Sequence, residues 1–222
     1  MRTEPGRRLS HGLDVFYPIV PDIDWLKRIV PLGARTIQLR LKDADDIKVA
    51  GQITEALEFC AAHDCQLIVN DYWKLAIELG ADYVHLGQED LAAADLTAIK
   101  TAEMRLGVST HSEDELATAL EVEPDYVALG PVFETKLKAM KWAPQGLQRV
   151  TDWKQEIGSL PLVGIAGITV RRADAVIDAG ADSVAAITDF VTHPDPEARV
   201  RAWLDWAARR RPVPPDAAVR TT

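Results

Sequence analysis

The feature that most constrains this chain is a repeat of pattern. Short β-branched or apolar runs alternate with longer amphipathic segments eight times between Asp14 and Arg209. The runs are Val15 to Val20, Thr36 to Lys42, Leu67 to Val69, Tyr83 to Leu86, Arg105 to His111, Tyr126 to Gly130, Leu162 to Ile168 and Ser183 to Thr188. The second of them alternates strictly. The segments between them read as helices. The one from Asp43 or Asp46 to His63 carries Ile47, Val49, Ile53, Ala56, Leu57 and Cys60 at core spacing, and another spans Leu91 to Thr101. Asp22 or Asp24 can cap the first helix, Ser112 with Glu115 has capping-box spacing, and Thr169 stands where a cap belongs. Eight such pairs in 222 residues predict a (β/α)8 TIM barrel, since an open doubly wound sheet would carry fewer strands and a glycine fingerprint after the first. The barrel is expected over residues 13–210. A mobile polar segment (1–12) would precede it and a Pro-rich tail (211–222) would follow.

In such a barrel every strand delivers its carboxyl end to one face. Val69-Asn70-Asp71 and, about twenty residues on, Leu86-Gly-Gln-Glu-Asp90 end two neighbouring strands in acids, so Asp71 and Asp90 are expected to meet. Paired hard oxygens open to substrate suit Mg²⁺, though each Asp could instead cap the helix that follows it. Gln38, Arg40 and Lys42 alternate, so they share a side, while Leu39 and Leu41 face the helices. Long cations aimed inward need an anion, either a phosphate or the Asp pair itself. Ser109 and His111 share a side of the fifth strand, and the loop from Pro131 to Pro144 carries Lys136 and Lys138. Gly167-Ile168-Thr169 and Ile187-Thr188 fall where barrels bind phosphate through backbone N–H groups. Two anion sites imply two anion-bearing small substrates.

The formal charge of −9 argues against nucleic acid, whose backbone needs a basic face. The apolar runs are strand-sized, so neither a membrane span nor a signal peptide is expected. Cys60 and Cys65 are the only cysteines and read as buried free thiols in a reducing, cytoplasmic setting. A homo-oligomer is compatible with the sequence.

Gln38-Leu-Arg-Leu-Lys42, Asn70-Asp71, His85-Leu-Gly-Gln-Glu-Asp90, Gly107-Val-Ser-Thr110, Leu129-Gly-Pro-Val-Phe133, Ala143-Pro-Gln-Gly146 and Gly167-Ile168 together resemble the thiamine phosphate synthase family over about residues 15–205. The resemblance implies a transferase that joins 4-amino-2-methyl-5-hydroxymethylpyrimidine diphosphate to 4-methyl-5-(2-hydroxyethyl)thiazole phosphate and needs Mg²⁺. It implies that Gln38, Leu39, Arg40, Leu41, Lys42 and Asn70 contact the pyrimidine diphosphate and that Asp71 and Asp90 hold the metal. Ser109 would touch the pyrimidine and Lys138 the pyrophosphate. Thr135, Lys136 and Leu137 would line the thiazole phosphate, which Gly167, Ile187 and Thr188 bind. Arg40, Lys42 and Lys138 would carry the catalytic charge. The chain departs from the family pattern at Glu134, Leu137, Ala166, Thr188 and Asp189. Asp189 must point away from a bound phosphate or pair with Lys136. A thiazole tautomerase on the same scaffold is the alternative, but it relies on a His where this chain has Pro131. A barrel that binds thiamine precursors without catalysis is another.

Overall fold

The computed structural model describes residues 12–42, 45–135 and 142–211. Eight strands run parallel: β1 (Phe16–Val20), β2 (Thr36–Leu39), β3 (Gln66–Asn70), β4 (Tyr83–Leu86), β5 (Arg105–Thr110), β6 (Tyr126–Leu129), β7 (Leu162–Ile165) and β8 (Ser183–Ala186). They pair in chain order and close into a barrel, with Phe16 opposite Val184 and Pro18 opposite Ala186 at the seam. The (β/α)8 expectation is met.

The alternation of side chains along each strand makes two apolar shells. Phe16, Ile37, Leu39, Val69, Val84, Leu86, Val108, Val127 and Leu129 point outward and pack under the helices. Tyr17, Ile19, Ile68, Tyr83, Tyr126, Ala128, Val163 and Ala185 fill the barrel itself. Every strand is therefore buried on both faces, which is why its sequence reads as a nearly unbroken apolar run.

The helices are α1 (Ile23–Ile29), α2 (Asp46–Ala62), α3 (Trp73–Glu78), α4 (Gln88–Ala93), α5 (Leu96–Thr101), α6 (Glu113–Glu121), α7 (Gly146–Ile157), α8 (Val170–Asp178), α9 (Thr188–Val191) and α10 (Pro196–Arg210). Asp22 caps α1, accepting from the Trp25 N–H at 2.8 Å, and Asp45 caps α2 through Lys48. Ile47 does not join the core: it is 86% exposed. Val49, Ile53, Ala56 and Cys60 define the buried stripe of α2, and a residue two positions before Val49 lies about 200° around the axis.

The helix expected from Leu91 to Thr101 is two. Ala94 is extended, and Asp95 opens α5 by accepting from the Ala98 N–H at 2.9 Å. Because α4 begins at Gln88, Asp90 lies in its first turn rather than in a loop. Ser112 Oγ accepts from the Glu115 N–H at 3.3 Å, but the Glu115 carboxylate reaches the N–H of His111, one residue before the position a capping box predicts. Thr169 occupies the cap position of α8 without a side-chain bond; Asp189 accepts from the Val170 N–H at 3.4 Å instead.

At the amino end of the barrel, Asp14 gives its N–H to Thr36 Oγ1 at 3.1 Å and its carbonyl to Ser183 Oγ at 2.7 Å. Arg211, expected at the head of the tail, grips the Asp14 carboxylate with two N–H groups. Residues 1–11 and 212–222 lie outside the described residues.

Candidate active site at the carboxyl ends of the strands

β3 ends at Asn70, and Asp71 then turns the chain with φ +65° while its N–H bonds to the His85 carbonyl at 2.9 Å. Asp90 comes to the same place from the first turn of α4. The two carboxyl groups share a hydrogen bond, so the expected meeting of strands three and four occurs. Burial first, then the Asp90 charge and that shared bond, push the Asp71 carboxyl up to about 6. Arg40 and a bond from Asn70 pull the other way. Two carboxylates crowded enough to share a proton form the donor set that a hard divalent cation relieves. Among the described residues no three His, Cys, Asp or Glu side chains make a metal cage. A site of two carboxylates fits a cation that takes its remaining oxygens from water and phosphate.

Arg40 lies one residue past β2, where its N–H still bonds to the Val20 carbonyl at 2.9 Å. Its charge is felt by both Asp71 and His85, so the guanidinium lies on the same face as these two groups. Lys42 is exposed at the rim. The side chains of Leu39 and Leu41 are buried in the outer shell, so only their backbone can face a ligand.

Below the mouth a line of polar tips crosses the barrel. Gln38 Nε2 donates to the Tyr17 hydroxyl at 2.7 Å, and the Tyr17 and Tyr126 hydroxyls are 2.9 Å apart. Tyr126 then meets His85 Nδ1 at 2.7 Å, and His85 Nε2 meets Ser109 Oγ at 2.7 Å. Burial and then the Arg40 charge lower the His85 imidazole to about 3, so it is neutral. Gly107 is glycine because the Tyr126 ring from the neighboring strand lies across it; a Cβ there would be 2.1 Å from Tyr126 Cζ. Gln88 Nε2 holds the Ser109 carbonyl at 2.7 Å. His111 does not join this line. Its Nδ1 binds Glu115 and its ring stacks on Trp142.

On the opposite side, Ala166 and Gly167 adopt φ +73° and +68°. A Cβ on Gly167 would lie 2.6 Å from the Glu134 carbonyl oxygen, so only glycine lets the two loops touch. Val132 and Phe133 fold onto this turn through bonds to the Ile165 and Ala166 carbonyls. Ile187 and Thr188 open the short helix α9, whose first N–H groups have no intrahelical partner. Asp189 does point away: Arg199 holds both its oxygens at 2.8 Å and Trp203 Nε1 donates at 2.9 Å. Thr135 is half-buried at the loop. Lys136, Leu137 and Lys138 lie outside the described residues.

Sequence reasoning passed over Tyr17, Tyr126, His85 and Arg172. The guanidinium of Arg172 donates to the Gly167 carbonyl at 2.8 Å and stacks over Phe133. The signal for the first three was polar tips at inward positions of three different strands. That signal needs the register between strands.

A closed (β/α)8 barrel with paired carboxylates and an arginine at its mouth, and a short helix after its eighth strand, belongs to the class that handles phosphorylated small molecules. Within that class the chain belongs to the thiamine monophosphate synthase family, whose model matches residues 16–190. It is 56% identical over 201 residues to the thiamine-phosphate synthase of Rhizobium etli, covering 90% of this chain and 98% of that protein. The thiamine-phosphate synthase of Serratia proteamaculans is 44% identical over 193 residues, covering 87% of this chain and 91% of that one. Among solved structures, a thiamine phosphate pyrophosphorylase from Pyrococcus furiosus superposes with a TM-score of 0.76 at 25% identity, covering 87% of this chain and 95% of that one.

Proposed function

We propose that this chain is a thiamine-phosphate synthase, joining 4-amino-2-methyl-5-hydroxymethylpyrimidine diphosphate to 4-methyl-5-(2-hydroxyethyl)thiazole phosphate with release of pyrophosphate. The observation that carries the reading is the Asp71–Asp90 pair with Arg40 at the mouth of a barrel of this family. Asp71 and Asp90 would hold Mg²⁺, which supplies neutralisation of the diphosphate oxygens when bound.

Arg40, Lys42 and Lys138 would add positive charge around the departing pyrophosphate. Its departure leaves a benzylic-type cation on the pyrimidine methylene that the aminopyrimidine ring delocalises. Asn70, Gln38 and Ser109 would hold that ring. Thr135, Lys136 and Leu137, with Gly167, Ile187 and Thr188, would hold the thiazole phosphate so that the thiazole nitrogen lies within attack distance. That nitrogen carries its own lone pair, so no general base is needed for attack. Both partners are small molecules. The free buried thiols Cys60 and Cys65 support a cytoplasmic setting, and among the described residues no helix is long and apolar enough to cross a membrane.

The test is product formation from the two phosphorylated precursors with Mg²⁺ and with chelator. Thiamine phosphate that appears only with the metal supports the reading. Binding of the pyrimidine diphosphate without product refutes it.

A further inference from the structure

We infer that Tyr17, Tyr126 and His85 act as positioning residues that fix the direction of the Ser109 hydroxyl, making Ser109 a hydrogen-bond donor to the pyrimidine. The inference deepens the synthase reading above and rests on it for the identity of the ring.

The argument follows one proton per link. The Tyr17 hydroxyl accepts from Gln38 Nε2, and its own proton has one partner among the described residues, the Tyr126 oxygen at 2.9 Å. Tyr126 therefore passes its proton to His85 Nδ1 at 2.7 Å. A neutral imidazole that accepts at Nδ1 carries its proton on Nε2, and Nε2 then donates to Ser109 Oγ at 2.7 Å. The Ser109 proton is left over and turns toward the mouth, where a ring nitrogen with a lone pair accepts it. The reverse order has Ser109 donating to His85, His85 to Tyr126 and Tyr126 to Tyr17. Tyr17 would then accept twice, and its own proton would have no acceptor in a site where the residue is 1% exposed. A buried hydroxyl proton without a partner is costly, so the forward order prevails.

The packing supports a built chain. Gln38, Tyr17, Tyr126 and His85 are all buried, Ser109 alone is half-open, and Gly107 clears the space that the Tyr126 ring fills. Gln88 holds the Ser109 main chain from the other side. The consequence is specificity. The pocket reads an acceptor at that edge of the ring, and a ring presenting an N–H there meets a donor.

Two measurements test it. ¹⁵N NMR of the histidine rings in the ligand-free protein should show His85 as the Nε2–H tautomer, with the bias lost in Tyr126→Phe; an Nδ1–H tautomer in the wild type overturns the inference. In steady-state kinetics, Ser109→Ala and Tyr126→Phe should each lower kcat/KM for the pyrimidine diphosphate roughly tenfold, the worth of one neutral hydrogen bond. The double variant should fall no further than Ser109→Ala, and the KM for thiazole phosphate should not move. Losses that multiply, or that fall equally on both substrates, mean that Tyr126 is merely structural. Tyr83→Phe removes a hydroxyl from the same interior layer but outside the line, and it should leave kcat/KM unchanged. If Tyr126→Phe does not fold, Tyr17→Phe is read by the same tautomer signal. A wild type that shows the Nε2–H tautomer but makes no product refutes the synthase reading alone, and the ratio of calorimetric affinities then decides the role of Tyr126.

Discussion

Replacing Asp90 with Asn should change the protein's stability in opposite directions with and without Mg²⁺. In metal-free protein the Asp71 carboxyl stands at about 6 instead of 3.8. Between about pH 4 and 6 the folded chain therefore holds a proton that the unfolded chain has released. Stability falls as pH rises through that window and stays lower above it. The displacement is worth about 3 kcal/mol for a fully buried group. Asp71 is partly open to solvent, so about 1–2 kcal/mol is the usable figure. Asp90→Asn removes the charge and the shared carboxyl bond but leaves burial, the largest cause, in place. In chelator near pH 7.5 the variant should melt a few degrees above the wild type, since 1 kcal/mol moves Tm by about 2–4 °C at this size. The gap should close as pH is lowered toward 4.5. Mg²⁺ at about a hundred times its Kd adds about 2.7 kcal/mol to the wild type, more than that gap, and should leave the variant nearly unmoved, so the order of the two Tm values reverses. The assay is thermal unfolding by circular dichroism across that pH range. A gap that stays flat with pH, or equal stabilisation of both proteins by Mg²⁺, would refute the reasoning.

Three further outcomes are expected. Arg40→Ala should raise KM for the pyrimidine diphosphate by about tenfold to a hundredfold, the loss of a charge-assisted hydrogen bond, and leave that for thiazole phosphate nearly unchanged in steady-state assays; equal losses would contradict two separate anion sites. Ala166→Gly should stabilise by about 1 kcal/mol, because a Cβ at φ +73° is strained and glycine is not, and a melt that does not rise would place the strain elsewhere. Asp189→Ala should destabilise by about 3 kcal/mol in denaturant unfolding, because it strands the partly buried Arg199 guanidinium and the Trp203 N–H, and a loss below 1 kcal/mol would mean the pair is replaceable by water.

The barrel was legible because its strands are buried on both faces, so each of them stands out as an apolar run whatever surrounds it. The Asp71–Asp90 meeting was legible because adjacent parallel strands must end side by side. Helix boundaries were less so. Asp95 before Leu96 was a visible cap that marked the break at Ala94, but the amphipathic pattern runs through it. Ile47 was misplaced because an apolar residue near a helix start fits several faces until later turns fix the stripe. The polar line across the barrel was hidden for a deeper reason. Tyr17 and Tyr126 lie 109 residues apart and look like ordinary strand aromatics, and only closure brings their hydroxyls to 2.9 Å. Asp189 drew attention as a misplaced charge, yet its partner Arg199 sits on the last helix, where nothing in local spacing pointed to it.

Asp14 before β1 and Arg211 after α10 are clasped together at the end of the barrel opposite the mouth that holds Asp71 and Asp90. The stretch from Asp14 to Arg211 thus forms a ring in space, closed by side chains and open only at its backbone. A circular permutant that joins residue 211 to residue 14 by a short linker and begins instead at the surface turn around Gly158 would keep every strand pair. A surface tether attached beside Asp14 or Arg211 would sit at the end of the barrel away from the mouth and leave it free for substrate exchange.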